Sequence, residues 1–358
     1  MKILAIETSC DETAAAIVEE KSCKIKVLSS VVSSQAKLHA KWGGVVPNLA
    51  AREHLKNIFP IIRLTLKKAR VEYNKIDLIA VTSGPGLIPA LLIGLSTAKT
   101  LAYFWKKPLL GIHHIEGHIY ANFIGKDSKC KIKNSKFPIL CLVVSGGHTQ
   151  LILMKKHLDY KIIGETLDDA AGEAFDKVAR ILKLGYPGGP IIASLAAKFK
   201  VNDLRSQIVL PRPMINSADF DFSFSGLKTA VLYLAKKESK KLADEKFITA
   251  VCAEFQQAVI DILTAKTLKA AQKYRPKTIM LAGGVSANQE LRKQLKQTIR
   301  KNLKSVLCMM PDRLYSVDNA AMIGAAACFR WKKISPKNKI NSYKNWFCLE
   351  GNANLKLR

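Results

Sequence analysis

The order of strand, turn and helix signals runs through this chain twice, and that repetition restricts the fold more than any other feature. In the first pass an apolar run over residues 2–8 meets the polar turn Ser9-Cys10-Asp11-Glu12, and residues 13–18 read as a second strand. Two such runs around a polar turn make a β-hairpin. Residues 25–32 supply a third strand, 49–68 a helical pattern, and 77–82 a buried-type strand ending in Gly84-Pro85-Gly86. A helix over 88–104 and a short strand at 109–112 follow. In the second pass residues 137–144 and 149–154 flank Ser145-Gly146-Gly147-His148, residues 160–163 give the third strand, and 278–281 run into Gly283-Gly284 and a helix. Two copies of one supersecondary unit predict an α/β protein of duplicated domains facing each other across a cleft.

The predicted boundaries follow from this pattern. Residues 1–125 form the first domain and 137–317 the second, with a mostly helical insertion over 166–277 that contains the loop 185–190 and the irregular stretch 205–226. Residues 126–136 hold five lysines and no apolar periodicity, which predicts a linker. An alanine-rich helix over about 318–333 is expected to pack tightly, back on the first domain. At 358 residues and 48% hydrophobic composition the chain can bury a large core, which excludes a disordered or fibrous protein.

The eight cysteines, Cys10, Cys23, Cys130, Cys141, Cys252, Cys308, Cys328 and Cys348, form no CxxC pair, and no signal peptide is read, so reduced thiols in a cytoplasmic setting are expected. The longest apolar stretch, residues 87–104, is interrupted by Pro89, Ser96, Thr97, Lys99 and Thr100, and no membrane partner is predicted. With 57 basic against 28 acidic residues the net charge is +29. Such a surface attracts polyanions, nucleic acid first, although only 12 of the 57 are arginine and a lysine-rich solvated surface is the competing explanation.

Three clusters carry chemistry. Ser145-Gly146-Gly147-His148-Thr149 is a hairpin turn whose adjacent glycines let backbone N–H groups approach a phosphate closely, while the plain alternative is an ordinary turn. Its partner Gly283-Gly284-Val285-Ser286-Ala287-Asn288 ends a strand and opens a helix. Asn288 is expected to hydrogen-bond a ribose or base, with Ser286 near the helix start as a simple N-cap on the alternative reading. His114 and His118 stand at i, i+4, which puts both imidazoles on one helix face in metal-ligand geometry, near the cleft and outside the core. Glu116 falls two residues after the first histidine and points elsewhere, so this is not the HExxH arrangement of a zinc peptidase. Asp318, at the head of the last helix, is either the third ligand or an N-cap. Asp176 is either a cleft acceptor for a polar substrate or the partner of Arg180 one turn on.

Taken together, Ile6-Glu7-Thr8-Ser9-Cys10-Asp11-Glu12-Thr13, Gly43-Gly44-Val45-Val46-Pro47, Ser83-Gly84-Pro85-Gly86, His114-Ile115-Glu116-Gly117-His118, Val144-Ser145-Gly146-Gly147-His148-Thr149, Gly172-Glu173-Ala174-Phe175-Asp176-Lys177, Phe222-Ser223-Phe224-Ser225-Gly226-Leu227-Lys228 and Ala282-Gly283-Gly284-Val285-Ser286-Ala287-Asn288 resemble, in order, the motifs of the universal threonylcarbamoyltransferase family. The resemblance spans about residues 3–328, and Gly43-Gly44-Val45-Val46-Pro47 is similar to the bacterial branch. It implies an actin-like ATPase fold (ASKHA, RNase H-like) and transfer of threonylcarbamoyl from threonylcarbamoyl-AMP to N6 of adenosine 37 in tRNAs reading codons that begin with A, forming t6A.

By the same resemblance His114, His118 and Asp318 hold one divalent metal per subunit, Fe(2+) ahead of Zn(2+), and Val143, Val144, Ser145, Gly146, Gly147, Asp176, Gly189 and Asn288 bind substrate. Ala193 departs from the family pattern, where a polar residue is common. The donor is a mixed anhydride and needs no covalent enzyme nucleophile, so Asp11 or Glu12 is assigned to relay a proton or orient the adenine amine. The implied partners are tRNA, a smaller inactive paralogue (TsaB-like) and a P-loop ATPase (TsaE-like), because the chain has no GxxxxGK[ST] loop of its own. The paralogue is expected on the apolar faces of residues 49–66 and 88–103. A sugar or acid kinase and a binding module without activity are the rival classes.

Overall fold

The computed structural model describes residues 1–22, 24–125, 127–199 and 208–357, so Cys23, Lys126 and Arg205 lie outside it. The first copy runs β1 (Lys2–Glu7), β2 (Glu12–Lys21), β3 (Lys24–Ser34), α1 (Ala36–Ala40), α2 (Pro47–Ala69), β4 (Leu78–Gly84), α3 (Ile88–Trp105), β5 (Leu109–His113) and α4 (His114–Tyr120). After α5 (Ser128–Asn134) the second copy runs β6 (Ile139–Val144), β7 (Thr149–Lys156), β8 (Asp159–Glu165), α6 (Ala171–Ile181), α7 (Gly188–Lys198), α8 (Ser225–Lys237), α9 (Glu245–Tyr274), β9 (Thr278–Ala282), α10 (Gln289–Asn302) and β10 (Leu307–Met309). α11 (Ala320–Lys333), α12 (Pro336–Asn341) and α13 (Asn345–Cys348) complete the chain.

The two sheets have the same topology, β3-β2-β1-β4-β5 and β8-β7-β6-β9-β10. In each, the hairpin and third strand are antiparallel and the remaining strands join in parallel through helices. Strand β10 is an addition to the sequence reading: three residues between a charged helix and a proline carry too short a pattern to register.

Period-two side-chain alternation decides what each face meets. From β1, Ile3 and Ala5 point into a core shared with α4 and α11, while Leu4 and Ile6 point into another with α2 and α3. From β6, Ile139, Cys141 and Val143 enter that same shared core, and Leu140, Leu142 and Val144 face the helices α6 to α10. Helices α4 and α11 are thereby held between the two sheets. Small residues permit this: a methyl group on Gly324 of α11 would meet Val18 at 2.5 Å and Ala5 at 3.3 Å. Glu116 of α4, fully buried, accepts from Nε and Nη2 of Arg330 of α11, each at 2.6 Å, away from the histidines.

One sequence expectation, the capping of α10, needs correction, and two others gain detail. Within the predicted linker, residues Ser128–Asn134 form helix α5, which packs against β3. Ser286 does not cap α10. Residues Gly284–Ala287 make a 3-10 turn, and Asn288 is the N-cap, its Oδ1 accepting from Leu291 N at 3.0 Å. By length and composition α3 and α9 do qualify as candidate membrane spans; α9 is almost wholly buried in the second core, and α3 packs against β4 and α2. The tail beyond α11 returns to the first sheet, where Asn345 Nδ2 donates to Leu109 O at 2.7 Å and Asn352 N to Ser83 O at 2.8 Å.

Candidate active site

Strand β5 ends at His113, whose Nδ1 accepts from Ile115 N and so caps α4. The helix therefore starts at His114, and His118 lies one turn on, with ring centroids 4.7 Å apart. At the head of α11 the cap is Asn319, whose Oδ1 accepts from Met322 N at 3.0 Å. That frees Asp318, and its Oδ1 lies 3.1 Å from His118 Nε2 and 3.6 Å from His114 Nε2. Ligand atoms of the three residues fall within 4.8 Å of one another. Both histidines are buried, which corrects the expectation that the pair stands outside the core.

Neither ring nitrogen of His118 has an aligned hydrogen-bond partner, although Nε2 is close to Asp318. A buried imidazole left so is costly. Two imidazoles and a carboxylate, with both His118 nitrogens lacking an aligned partner, fit a divalent cation.

A second ring of contacts, absent from the sequence reading, orients His114. Its Nδ1 lies 3.1 Å from both Glu7 Oε2 and Ser9 Oγ, and Glu7 also accepts from Thr82 Oγ1 at 2.6 Å and Ser9 N at 2.5 Å. Burial alone would lower the His114 pKa, but the charges of Asp318 and Glu7 and the Glu7 hydrogen bond raise it to about 9. Burial likewise opposes ionisation of Asp318, yet His114 and His118 hold its carboxyl well below the usual range. Glu7 is lowered in the same way, chiefly by His114 against its burial. The signal for Glu7 was a carboxylate ending an otherwise apolar strand.

The other predicted residues divide between two turns. Asp11 and Glu12 occupy the β1–β2 turn; burial first, then the charges of Asp11 and Asp318, push Glu12 well above the carboxylate range. The β6–β7 turn closes through Ser145 N to His148 O at 2.7 Å and His148 N to Ser145 Oγ at 3.1 Å. Val143 and Val144 are fully buried strand residues, so only their backbone could face a ligand. A Cβ on Gly146, Gly147 or Gly284 would meet nothing within 4 Å, whereas one on Gly172 would strike Ser145 O at 2.6 Å. Open space thus lies over both glycine turns while α6 abuts one from behind. His148, unassigned from sequence, sits near the metal-type cluster: burial lowers its pKa to about 4, helped by the charges of His114 and His118.

Asp176 does not pair with Arg180. Its Oδ1 accepts from Gly188 N at 2.7 Å at the start of α7, next to Gly189, and Arg180 instead donates to Gly43 O. Burial raises Asp176 above the usual carboxylate range. Asn288 Nδ2 donates to Gln256 Oε1 at 2.7 Å, a partner the sequence reading did not name.

The profile of the TsaD family, tRNA N6-adenosine threonylcarbamoyltransferase, matches residues 26–325. The chain belongs to this family. The tRNA N6-adenosine threonylcarbamoyltransferase of Syntrophomonas wolfei is 46% identical over 97% of this chain and 98% of its own length. That of Bacillus subtilis is 47% identical over 93% and 91%. Among solved structures, full-length HypF in its phosphate- and nucleotide-bound form superposes with a TM-score of 0.57 at 12% identity, covering 94% of this chain and 56% of that one. That likeness in fold covers nearly the whole chain, which is built as two mixed sheets with flanking helices. In TsaD terms the histidine pair, Asp318 and the two glycine turns all fall within the matched residues.

Proposed function

We propose that this chain transfers threonylcarbamoyl from threonylcarbamoyl-AMP to N6 of adenosine 37 in tRNAs reading codons that begin with A, forming t6A, in a cleft between two actin-like domains. The observation that carries the site assignment is the buried His118, whose ring nitrogens have no aligned hydrogen-bond partner, grouped with His114 and Asp318. Bound there, a divalent ion would supply Lewis-acid polarisation of a donor oxygen, and two imidazoles with one carboxylate favour Fe(2+), with Zn(2+) compatible.

The remaining roles follow from placement. Backbone N–H groups at Gly146 and Gly147 hold the adenylate phosphate, since no side chain obstructs the space above them, and Ser145, whose N–H closes the turn on His148 O, shapes that cradle. Asp176, Gly189 and Asn288 line the nucleoside side; Val143 and Val144 contribute backbone only. The N6 amine is a weak nucleophile because its lone pair is delocalised into the ring. Its nitrogen bonds to the carbamoyl carbon, AMP leaves, and the amine proton passes to a carboxylate. Glu12, raised by burial and neighbouring acids, suits that acceptor better than Asp11, which acts on it as the neighbouring charge.

The exposed side chains of Leu55 and Phe59 on α2 and of Leu92 and Phe104 on α3 support docking of a smaller inactive paralogue (TsaB-like), with a P-loop ATPase (TsaE-like) resetting the complex. The unpaired Cys10, Cys141, Cys252, Cys308, Cys328 and Cys348 support a cytoplasmic location. Reconstitution with threonylcarbamoyl-AMP and a tRNA transcript carrying A37, followed by nucleoside analysis, tests the reading. Formation of t6A is expected; its absence with metal-loaded protein and both partners present would overturn it.

A further inference from the structure

Behind the Cys10–Glu12 turn lies a chain of buried polar side chains with no part in the transfer chemistry proposed for the turn. His54, on the inner face of α2, contacts Cys10 O through Nε2 at 2.9 Å and Thr13 Oγ1 through Nδ1 at 2.8 Å. Gln35 sits beside it: its backbone N donates to Asp11 O at 3.0 Å, and its Nε2 donates to Ala50 O at 3.2 Å and approaches His54 Nδ1 at 3.5 Å. His39 Nε2 meets Gln35 Oε1 at 3.0 Å, and its Nδ1 accepts from Val46 N at 3.3 Å. His39, His54, Gln35 and Thr13 are all buried.

Each proton in this chain has one consistent place. A carbonyl can only accept, so His54 Nε2 carries hydrogen and Nδ1 accepts from the Thr13 hydroxyl. Val46 N can only donate, so His39 Nδ1 is bare and Nε2–H donates to Gln35 Oε1. That turns the Gln35 amide nitrogen toward Ala50 O. Buried and fully satisfied networks of this kind fix a single geometry. At the far end the loop between α1 and α2 is held across the domains, where Arg180 of α6 donates to Gly43 O and packs over Gly43 and Gly44.

We propose that Arg180, His39, Gln35 and His54 form a positioning relay that sets the acidic Cys10–Glu12 turn according to whether the second domain has closed on the Gly43-Gly44 loop. None of the four touches substrate; each acts through the next, and the last two grip the turn at the carbonyls of Cys10 and Asp11. The relay rests on the assignment of Asp11 or Glu12 to the transfer step. It couples domain closure, which brings Arg180 to the loop, to the aim of the carboxylates.

Single-turnover transfer by the metal-loaded full chain, with saturating threonylcarbamoyl-AMP and tRNA, tests it. Gln at position 54 places an amide nitrogen where Nε2 stands, while Asn reaches only the Nδ1 level. His54→Asn is expected to slow transfer at least about tenfold with donor affinity unchanged, and His54→Gln to restore most of the rate, although both lower the melting temperature alike. Arg180→Ala slows transfer too, and the Arg180→Ala/His54→Asn double variant is no slower than the slower single one, since both break one chain. Nitrogen-15 NMR should find His39 and His54 in the Nε2–H tautomer. Equal rates for His54→Asn and His54→Gln, additive losses in the double variant, or an Nδ1–H tautomer at either histidine overturns the relay. A slow Glu12→Gln beside a wild-type His54→Asn rejects the relay and leaves the acid assignment standing. Wild-type rates in both Asp11→Asn and Glu12→Gln reject that assignment, and the relay with it.

Discussion

His118 is fully buried with no aligned partner for either nitrogen, so removing its ring has two separable effects. His118→Ala should abolish bound metal and also leave a cavity, costing on the order of 2–4 kcal/mol of stability. Asp318→Asn keeps the shape and should lose the metal with little change in melting temperature of the metal-free protein. Elemental analysis beside thermal denaturation reads both, and wild-type metal content in either variant would remove the cluster from consideration. At Glu12 the prediction concerns pH. Its pKa is raised by burial and then by Asp11 and Asp318, so as a base it becomes competent only as pH rises above the ordinary carboxylate range. The single-turnover rate should therefore climb with pH through that raised value, and Glu12→Gln should be slow and flat over the same interval. A Glu12→Gln profile that keeps the wild-type rise assigns the proton to another group.

Among the elements, the β6–β7 turn separates room for a ligand from room for packing. Gly146 faces open space, so Gly146→Ala should fold as the wild type does while weakening threonylcarbamoyl-AMP binding, because its methyl group occupies the space proposed for the donor. A Cβ on Gly172 would meet Ser145 O at 2.6 Å, and Gly172→Ala should cost about 1–3 kcal/mol of stability. Calorimetric titration and thermal melts on the pair decide it, and unaltered donor affinity in Gly146→Ala would place the donor elsewhere. Helices α2 and α3 make a different kind of prediction. Leu55 and Phe59 are i, i+4 neighbours on the outer face of α2, opposite the inward His54. Leu55→Glu with Phe59→Glu should leave the monomer folded and abolish co-elution with the paralogue in size-exclusion chromatography; retained co-elution would exclude this face.

Over the whole molecule the net charge of +29 asks for a polyanion. tRNA affinity should fall steeply with salt through counterion release, and the exposed Lys133 of α5 and Lys136 just beyond it are candidate phosphate partners. Replacing both by Gln should lower the slope of log affinity against log salt by about 1 for each phosphate that is no longer neutralised. A salt-independent affinity, or an unchanged slope, would return the lysine excess to plain surface solvation. The same scale explains the position of the site: α4 and α11, from opposite ends of the chain, are clamped between the sheets by the shared core and by the Glu116–Arg330 fork.

What the sequence determined by itself was everything carried by short-range periodicity. Repeated hairpins, the third strands, α3, α6 and α11 were legible because alternation and helical spacing are local, and the i, i+4 histidines because a helix dictates their common face. Asp318 could not be told from an N-cap by spacing; only the fold, in which Asn319 takes the capping role, brings Asp318 to histidines about 200 residues earlier in the chain. Asp176 and Arg180 looked like a helical pair and are not one, because Gly188 N and Gly43 O offer each a better partner from another element. Gln256 behind Asn288 and the chain from Gly43 to Cys10 had no sequence signal at all, and for Glu7 the sequence marked a carboxylate closing an apolar strand without its contact to His114. Hydrogen bonds between residues distant in sequence depend on how sheets and helices pack, and packing is decided by the whole set of buried side chains at once.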